Sequence, residues 1–113
     1  MARKTLEVTI PAQTVNVRES YDDIDEMRED NKAIGHHWFS PDTMRYFRTR
    51  IHGGVIAGHY FITSEQFQPL YGAPEPRRYT VRTCSAGHVD TIGDFGAYES
   101  LADARRAVKA LVS

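Results

Sequence analysis

One cysteine, Cys84, is all that the 113 residues contain. That excludes an intramolecular disulfide framework and points to a reducing compartment. No apolar run approaches the ~20 residues that a bilayer-spanning helix needs. The opening MARKTLEVTIPAQ lacks the continuous apolar stretch of a secretory signal, so the sequence reads as cytoplasmic. Strong net charge is also missing. With a pI near 6.5, the chain is far from the basic range of a dedicated nucleic-acid binder. The five histidines, His36, His37, His52, His59 and His88, show no H-x₃-H spacing, and no second cysteine makes C-x₂-C, so no metal is expected. Gly53-Gly54 with Gly58 is not followed by Lys-Ser/Thr, which removes a phosphate-cradling P-loop. Gly93-Asp94-Phe95-Gly96 has the letters of a kinase magnesium motif without the rest of that set, in a chain too short for the fold. No cofactor is expected either.

The residues that are present describe one α+β domain over 1–113, long enough to bury a single core without staples. Charge is unevenly placed. Residues 1–30 carry eight acids against four bases, and residues 31–113 carry ten bases against seven acids. The acids gather in Ser20–Asp30, and the acidic segment 11–35 reads either as a marginal helix started at Ser20 or as a part without fixed structure until a partner orders it. LEVTI (Leu6–Ile10) alternates and stops at Pro11, a short strand. Ser40-Pro41-Asp42 is a helix start, with a capping hydroxyl, proline at the first position and an acid in the first turn. Met44, Phe47 and Ile51 recur at helical spacing, predicting a helix from Pro41 to His52 that stops at Gly53-Gly54.

Val55–Thr63 reads as one central strand, apolar on both alternating sets. QPLYGAPEP must be a loop. Arg77–Cys84 is a strand with Tyr79 and Val81 on one face and Arg78, Thr80 and Arg82 on the other. A turn at Ser85-Ala86-Gly87 returns it through HVDTIG. Ser100 and Asp103 cap a last helix with Leu101, Ala104, Val108 and Leu111 as its buried stripe. The expected architecture is a small, mostly antiparallel sheet of three to four strands with two main helices packed on one face.

Several of these segments follow one another as in a known group. His37-Trp38-Phe39-Ser40-Pro41-Asp42-Thr43-Met44-Arg45-Tyr46-Phe47-Arg48-Thr49-Arg50-Ile51 resembles the W-F-S-x-x-T-M-R-F-F-x-S-R-I segment of small accessory proteins encoded by bacteriophages, notably those of actinobacteria. Phe61–Glu65, Arg77–Arg82 and Asp103–Leu111 match that pattern in order and spacing, so the resemblance covers roughly residues 36–112. It implies a setting inside a bacterial host cell and a protein that binds and modulates something. It carries no catalytic residues with it.

Arginine suits anionic partners because its planar fork donates paired hydrogen bonds. Arg45, Arg48 and His52 would share a helix side, and Arg78 and Arg82 a strand face. Tyr46 and Tyr60 add aromatic surface of the kind on which bases stack. Trp38 at the helix entrance reads as a lid on the core or an interface anchor. Tyr71 sits in the proline loop, a natural contact surface. Cys84 with His88 would need a base and an orienting group to act as a nucleophile, and a packed small hydrophobe is the better reading. The expectation is a non-enzymatic protein that binds a host or phage protein. Nucleic acid is the second class of partner, a small enzyme or nucleotide binder the third, and no membrane is involved.

Overall fold

The computed structural model describes residues 5–11 and 13–113. The basic start at residues 1–4 and Ala12 lie outside them. Nine elements follow in chain order: β1 (Thr5–Ile10), β2 (Gln13–Arg18), α1 (Ile24–Ala33), α2 (Pro41–Tyr46), β3 (Arg50–Ile56), β4 (Tyr60–Glu65), β5 (Arg78–Ser85), β6 (His88–Ile92) and α3 (Leu101–Val112). β1 and β2 form a two-stranded antiparallel ribbon, and β3-β4-β5-β6 a four-stranded antiparallel sheet in sequence order. The expected α+β class, with its small antiparallel sheet, is what the structure shows.

The sheet is covered on both sides, because β4 presents Ile62 to one face and Phe61 to the other, and β5 presents Val81 and Cys84 in the same way. On one face Ile62 and Val81 pack with Ala104 and Val108 of α3. On the other, Phe61 and Cys84 pack with Met27 of α1, Tyr21 and Val89, and with half-buried Trp38 and Phe39. Each fully buried side chain of this size contributes about 1.5–3 kcal/mol. α3 starts as its sequence says, with the Ser100 hydroxyl accepting from the Asp103 N–H at 3.1 Å.

Two segments depart from the sequence reading. The helix at Pro41 begins as expected, with the Ser40 hydroxyl accepting from the Thr43 N–H, but it ends at Tyr46 rather than His52. Arg48 takes the left-handed conformation (φ 52°). The Thr49 N–H then reaches the Met44 carbonyl at 2.7 Å, and the Arg48 N–H the Arg45 carbonyl at 3.1 Å. Those two bonds are the Schellman closure of a helix, with arginine in the position usually held by glycine. The second departure follows. Val55–Thr63 is not one strand but the turn of a hairpin, with β3 paired to β4 through Arg50↔Ser64, Ile51↔Thr63 and His52↔Ile62. Gly53-Gly54, expected as a helix stop, lies in an irregularity of β3.

The acidic stretch forms α1, capped by Asp23, whose side chain accepts from the Glu26 N–H, rather than by Ser20. Its buried polar residues fasten it. Asp30 accepts from the Tyr21 hydroxyl at 2.9 Å and from the Arg18 N–H at 2.7 Å. Asn31 donates to the Gly87 carbonyl at 2.8 Å and accepts from the Trp38 N–H at 2.8 Å.

Candidate functional site

The C-terminal turn of α2, the start of β3, the end of β4 and the approach to β5 meet at one end of the sheet. The Gln66 N–H donates to the Phe47 carbonyl at 2.8 Å, tying the α2 cap to β4. Nη1 of Arg77 reaches three oxygens: the Arg48 carbonyl at 2.8 Å, the Ser64 carbonyl at 3.1 Å and the Ser64 hydroxyl at 2.9 Å. Around these bonds lies a cleft of about 400 Å³ lined by Met44, Arg45, Arg48, Thr49, Arg50, Gln66 and Arg77. Arg45 pairs with Asp42 at 2.6 Å. Arg48, Arg50 and Arg77 have no carboxylate partner among the described residues.

The electrostatics agree with that geometry. Burial, the positive charge of Arg50 and, more weakly, that of Arg48 hold the Arg77 guanidinium below its ordinary pKa. His52, on β3, shares a 2.6 Å hydrogen bond with the Ser64 hydroxyl. Burial, then the charges of Arg77, Arg50 and Arg105, push its pKa down, so its neutral form is favoured. The Ser64 hydroxyl is buried and already bonded to both His52 and Arg77, which makes this a positioning contact and not an activated nucleophile.

An apolar rim adjoins the lining along the chain, with Tyr46 after Arg45 and Phe67 after Gln66, and the loop beyond Phe67 carries two more exposed apolar side chains. Tyr46 is 79% exposed, Phe67 51%, Leu70 89% and Tyr71 86%. Tyr46 stacks edge-on against Phe47, and Phe47 lies 5.3 Å from Phe95. A smaller cleft of about 160 Å³ is lined in part by Phe47, Phe67, Phe95 and Pro76. The loop carrying Leu70 and Tyr71 is closed at its base by the Glu75 N–H bonded to the Phe67 carbonyl at 3.0 Å.

A family model of unknown function, DUF7447, matches residues 23–109. The chain belongs to this family. The span of the match contains the whole arginine cleft and its aromatic rim and leaves out the β1–β2 ribbon. No curated protein and no solved structure matches significantly.

Within that family span the structure separates the residues singled out from sequence. Arg45 and Arg48 come together in the cleft, with Tyr71 on the neighbouring loop. His52 is linked to it through Ser64, on a strand rather than a helix. Arg78 is elsewhere, its Nε donating to the Gly96 carbonyl at 2.8 Å and its Nη1 facing Glu99 at 3.5 Å. Arg82 is not a surface arginine. It is buried and paired with Glu65 at 3.2 Å, because its strand face is covered by the α1 side of the molecule. Trp38 is half-buried against Phe61, with its ring 5.2 Å from the Arg82 guanidinium carbon, as a lid would be. Tyr60 is half-buried against the core on the α3 side, away from the cleft lining.

The cleft also holds Arg50 and Arg77, which sequence reasoning does not single out. Their signal was the run of arginines at every second or third position from Arg45 to Arg50, and the Arg77-Arg78 pair after Pro76. Cys84 is buried in the core, and burial raises its thiol to about 11. His88 instead stands 5.7 Å from the His36 ring. Among the described residues no three His, Cys, Asp or Glu side chains gather as metal ligands, and no helix is long and apolar enough to cross a membrane.

Proposed function

We propose that this is a non-enzymatic interaction protein that docks on a negatively charged surface of another protein, through the arginine cleft and its aromatic rim. One observation carries the reading: three arginines without carboxylate partners among the described residues line one cleft, and exposed Tyr46 and Phe67 are the chain neighbours of its Arg45 and Gln66, with exposed Leu70 and Tyr71 on the loop that follows. Arginine and tyrosine are the side chains that most often anchor protein interfaces, and exposed aromatics add apolar area to whatever the charge steers in. The resemblance to phage accessory proteins supports a phage or host protein inside a bacterial cell as that partner, with modulation of the partner as the outcome of binding.

A second reading, nucleic-acid binding at the same cleft, draws support from the same arginines next to Tyr46. Its mark is salt: each phosphate contact releases counterions, so affinity falls steeply from low to high salt. The two readings part in a capture from bacterial lysate with and without nuclease. The protein-binding reading expects a specific protein retained after digestion and lost when Leu70 and Tyr71 are both changed to Ala. Recovery of nucleic acid, with every retained protein lost on digestion, would replace it by the second reading.

A further inference from the structure

We infer that Arg48, Arg50 and Arg77 form a receptor for a phosphate monoester dianion. The proposal deepens the docking reading and rests on it for its biological occupant, a phosphorylated side chain of the partner.

Geometry makes the first part of the case. Arg77 is fixed before any ligand arrives, because its Nη1 is bonded to the Arg48 carbonyl and to both oxygens of Ser64. Its Nη2 and Nε have no partner among the described residues and remain free to donate. Arg48 is fixed by the backbone: the Schellman bonds hold it at φ 52°, a conformation that favours glycine. Strained backbone persists where the surroundings over-determine it, and it clusters at ligand sites. Arg50 enters from the first position of β3, paired across to Ser64, so the three side chains arise from three separate anchored points. Thr49 and Gln66 add a hydroxyl and an amide to the lining. The cleft, about 400 Å³, has room for a phosphorylated side chain.

Charge makes the second part. Among the described residues, the one carboxylate ion-paired to a cleft arginine, Asp42, is on Arg45. Glu65, on the same strand as Ser64, is turned to the opposite face and held by Arg82. The three remaining guanidiniums therefore repel one another, and an anion relieves that repulsion. A monoester carries close to two charges at neutral pH and three acceptor oxygens, matching the paired donors of several arginines. A diester of the nucleic-acid backbone carries one charge and compensates less of the site.

His52 supplies a reporter within the fold. The charges that act on it are Arg50 on its own strand, Arg77 before β5 and Arg105 on α3, with Glu65 opposing them from the other face of β4. A dianion in the cleft offsets Arg50 and Arg77, so His52 binds its proton more readily.

The test is an NMR titration of the full chain, at pH 6.5 and at constant ionic strength set with chloride. Inorganic phosphate, phenyl phosphate and dimethyl phosphate are the probes. The proposal expects saturable shifts at the side-chain Nε of Arg48, Arg50 and Arg77 with the first two, and movement of the His52 ring toward its protonated shift. Dimethyl phosphate should give neither. Arg50→Gln removes an exposed side chain with no hydrogen bond among the described residues, and should weaken phenyl phosphate about tenfold. Shifts that follow ionic strength for every anion would overturn the proposal. So would dimethyl phosphate binding as well as phenyl phosphate, phenyl phosphate failing where inorganic phosphate binds, or an Arg50→Gln protein that binds unchanged. A variant that loses the anion yet still captures the partner at full strength would remove the phosphate chemistry and leave the docking surface standing.

Discussion

Arg82 is held by five partners: Thr63 at 3.1 Å, Thr91 at 2.6 Å, Glu65 at 3.2 Å, and the Trp38 and Phe95 rings at 5.2 and 5.6 Å. Glu65 in turn accepts from the hydroxyls of Thr63 and Thr80, both at 2.6 Å. A buried charge so placed depends on its counter-charge. Glu65→Ala is expected to cost about 3–5 kcal/mol in urea unfolding, since Arg82 is left buried and unpaired. The double change Glu65→Leu with Arg82→Met should cost markedly less, and equal losses would show that the pair is not the source. Cys84 gives a second residue-scale expectation. Burial raises its thiol to about 11, against an ordinary value of 9.0. The unfolded chain then loses its proton first as pH rises, so this group's contribution to stability is whole below pH 9 and is lost between about 9 and 11. Alkylation at pH 8 should be slow in the folded protein and fast in urea.

At the scale of elements, α1 and α2 are positioned by single backbone features. A Cβ on Gly87 would lie 2.8 Å from the Asp30 carbonyl oxygen, and its φ is +83°. Gly87→Ala therefore pushes α1 off the β5–β6 turn, breaking the Tyr21 and Asn31 bonds to Gly87. A loss of about 2–4 kcal/mol is expected, with hydrogen exchange accelerated first in residues 24–33. Arg48→Gly should act the other way. It removes the left-handed penalty and raises stability by roughly 1 kcal/mol, while weakening partner binding by loss of the side chain. A destabilised variant would contradict the strain argument.

The same features mark what was legible. Ser40-Pro41-Asp42 announced the start of α2, because caps are local chemistry. Its end was hidden, because arginine fills the position where glycine is the readable sign, and Ile51 sits at a spacing that suits helix as well as strand. Ala57 and Gly58 take positive φ, as Ala86 and Gly87 do, so both hairpins turn on the same Ala-Gly-His triplet. Only the second was read as a turn, since the first is embedded in an apolar run. β2 was passed over, although Val15 and Val17 alternate with polar residues as a strand requires.

Across the whole molecule the unequal charge resolves into two separate clusters. Arg18 draws the acids of α1 together: burial works against its charge, but the Glu29 hydrogen bond and the charges of Asp30, Glu26 and Glu29 outweigh it and raise its pKa. Part of the acidic segment is thus spent inside the fold, and the arginines of the cleft are left for something else. This placement could not be read from composition, because pairing depends on the ribbon bringing Arg18 beside α1. The docking surface proposed above rests on those arginines and the exposed aromatics close to the cleft lining in the chain. Its most direct test is nuclease-treated capture from bacterial lysate, comparing the natural chain with a variant carrying Arg48→Glu and Arg50→Glu, after circular dichroism has shown equal folding. One specific protein is expected to be retained by the natural chain and lost from the variant. Retention of the same protein by both would contradict it.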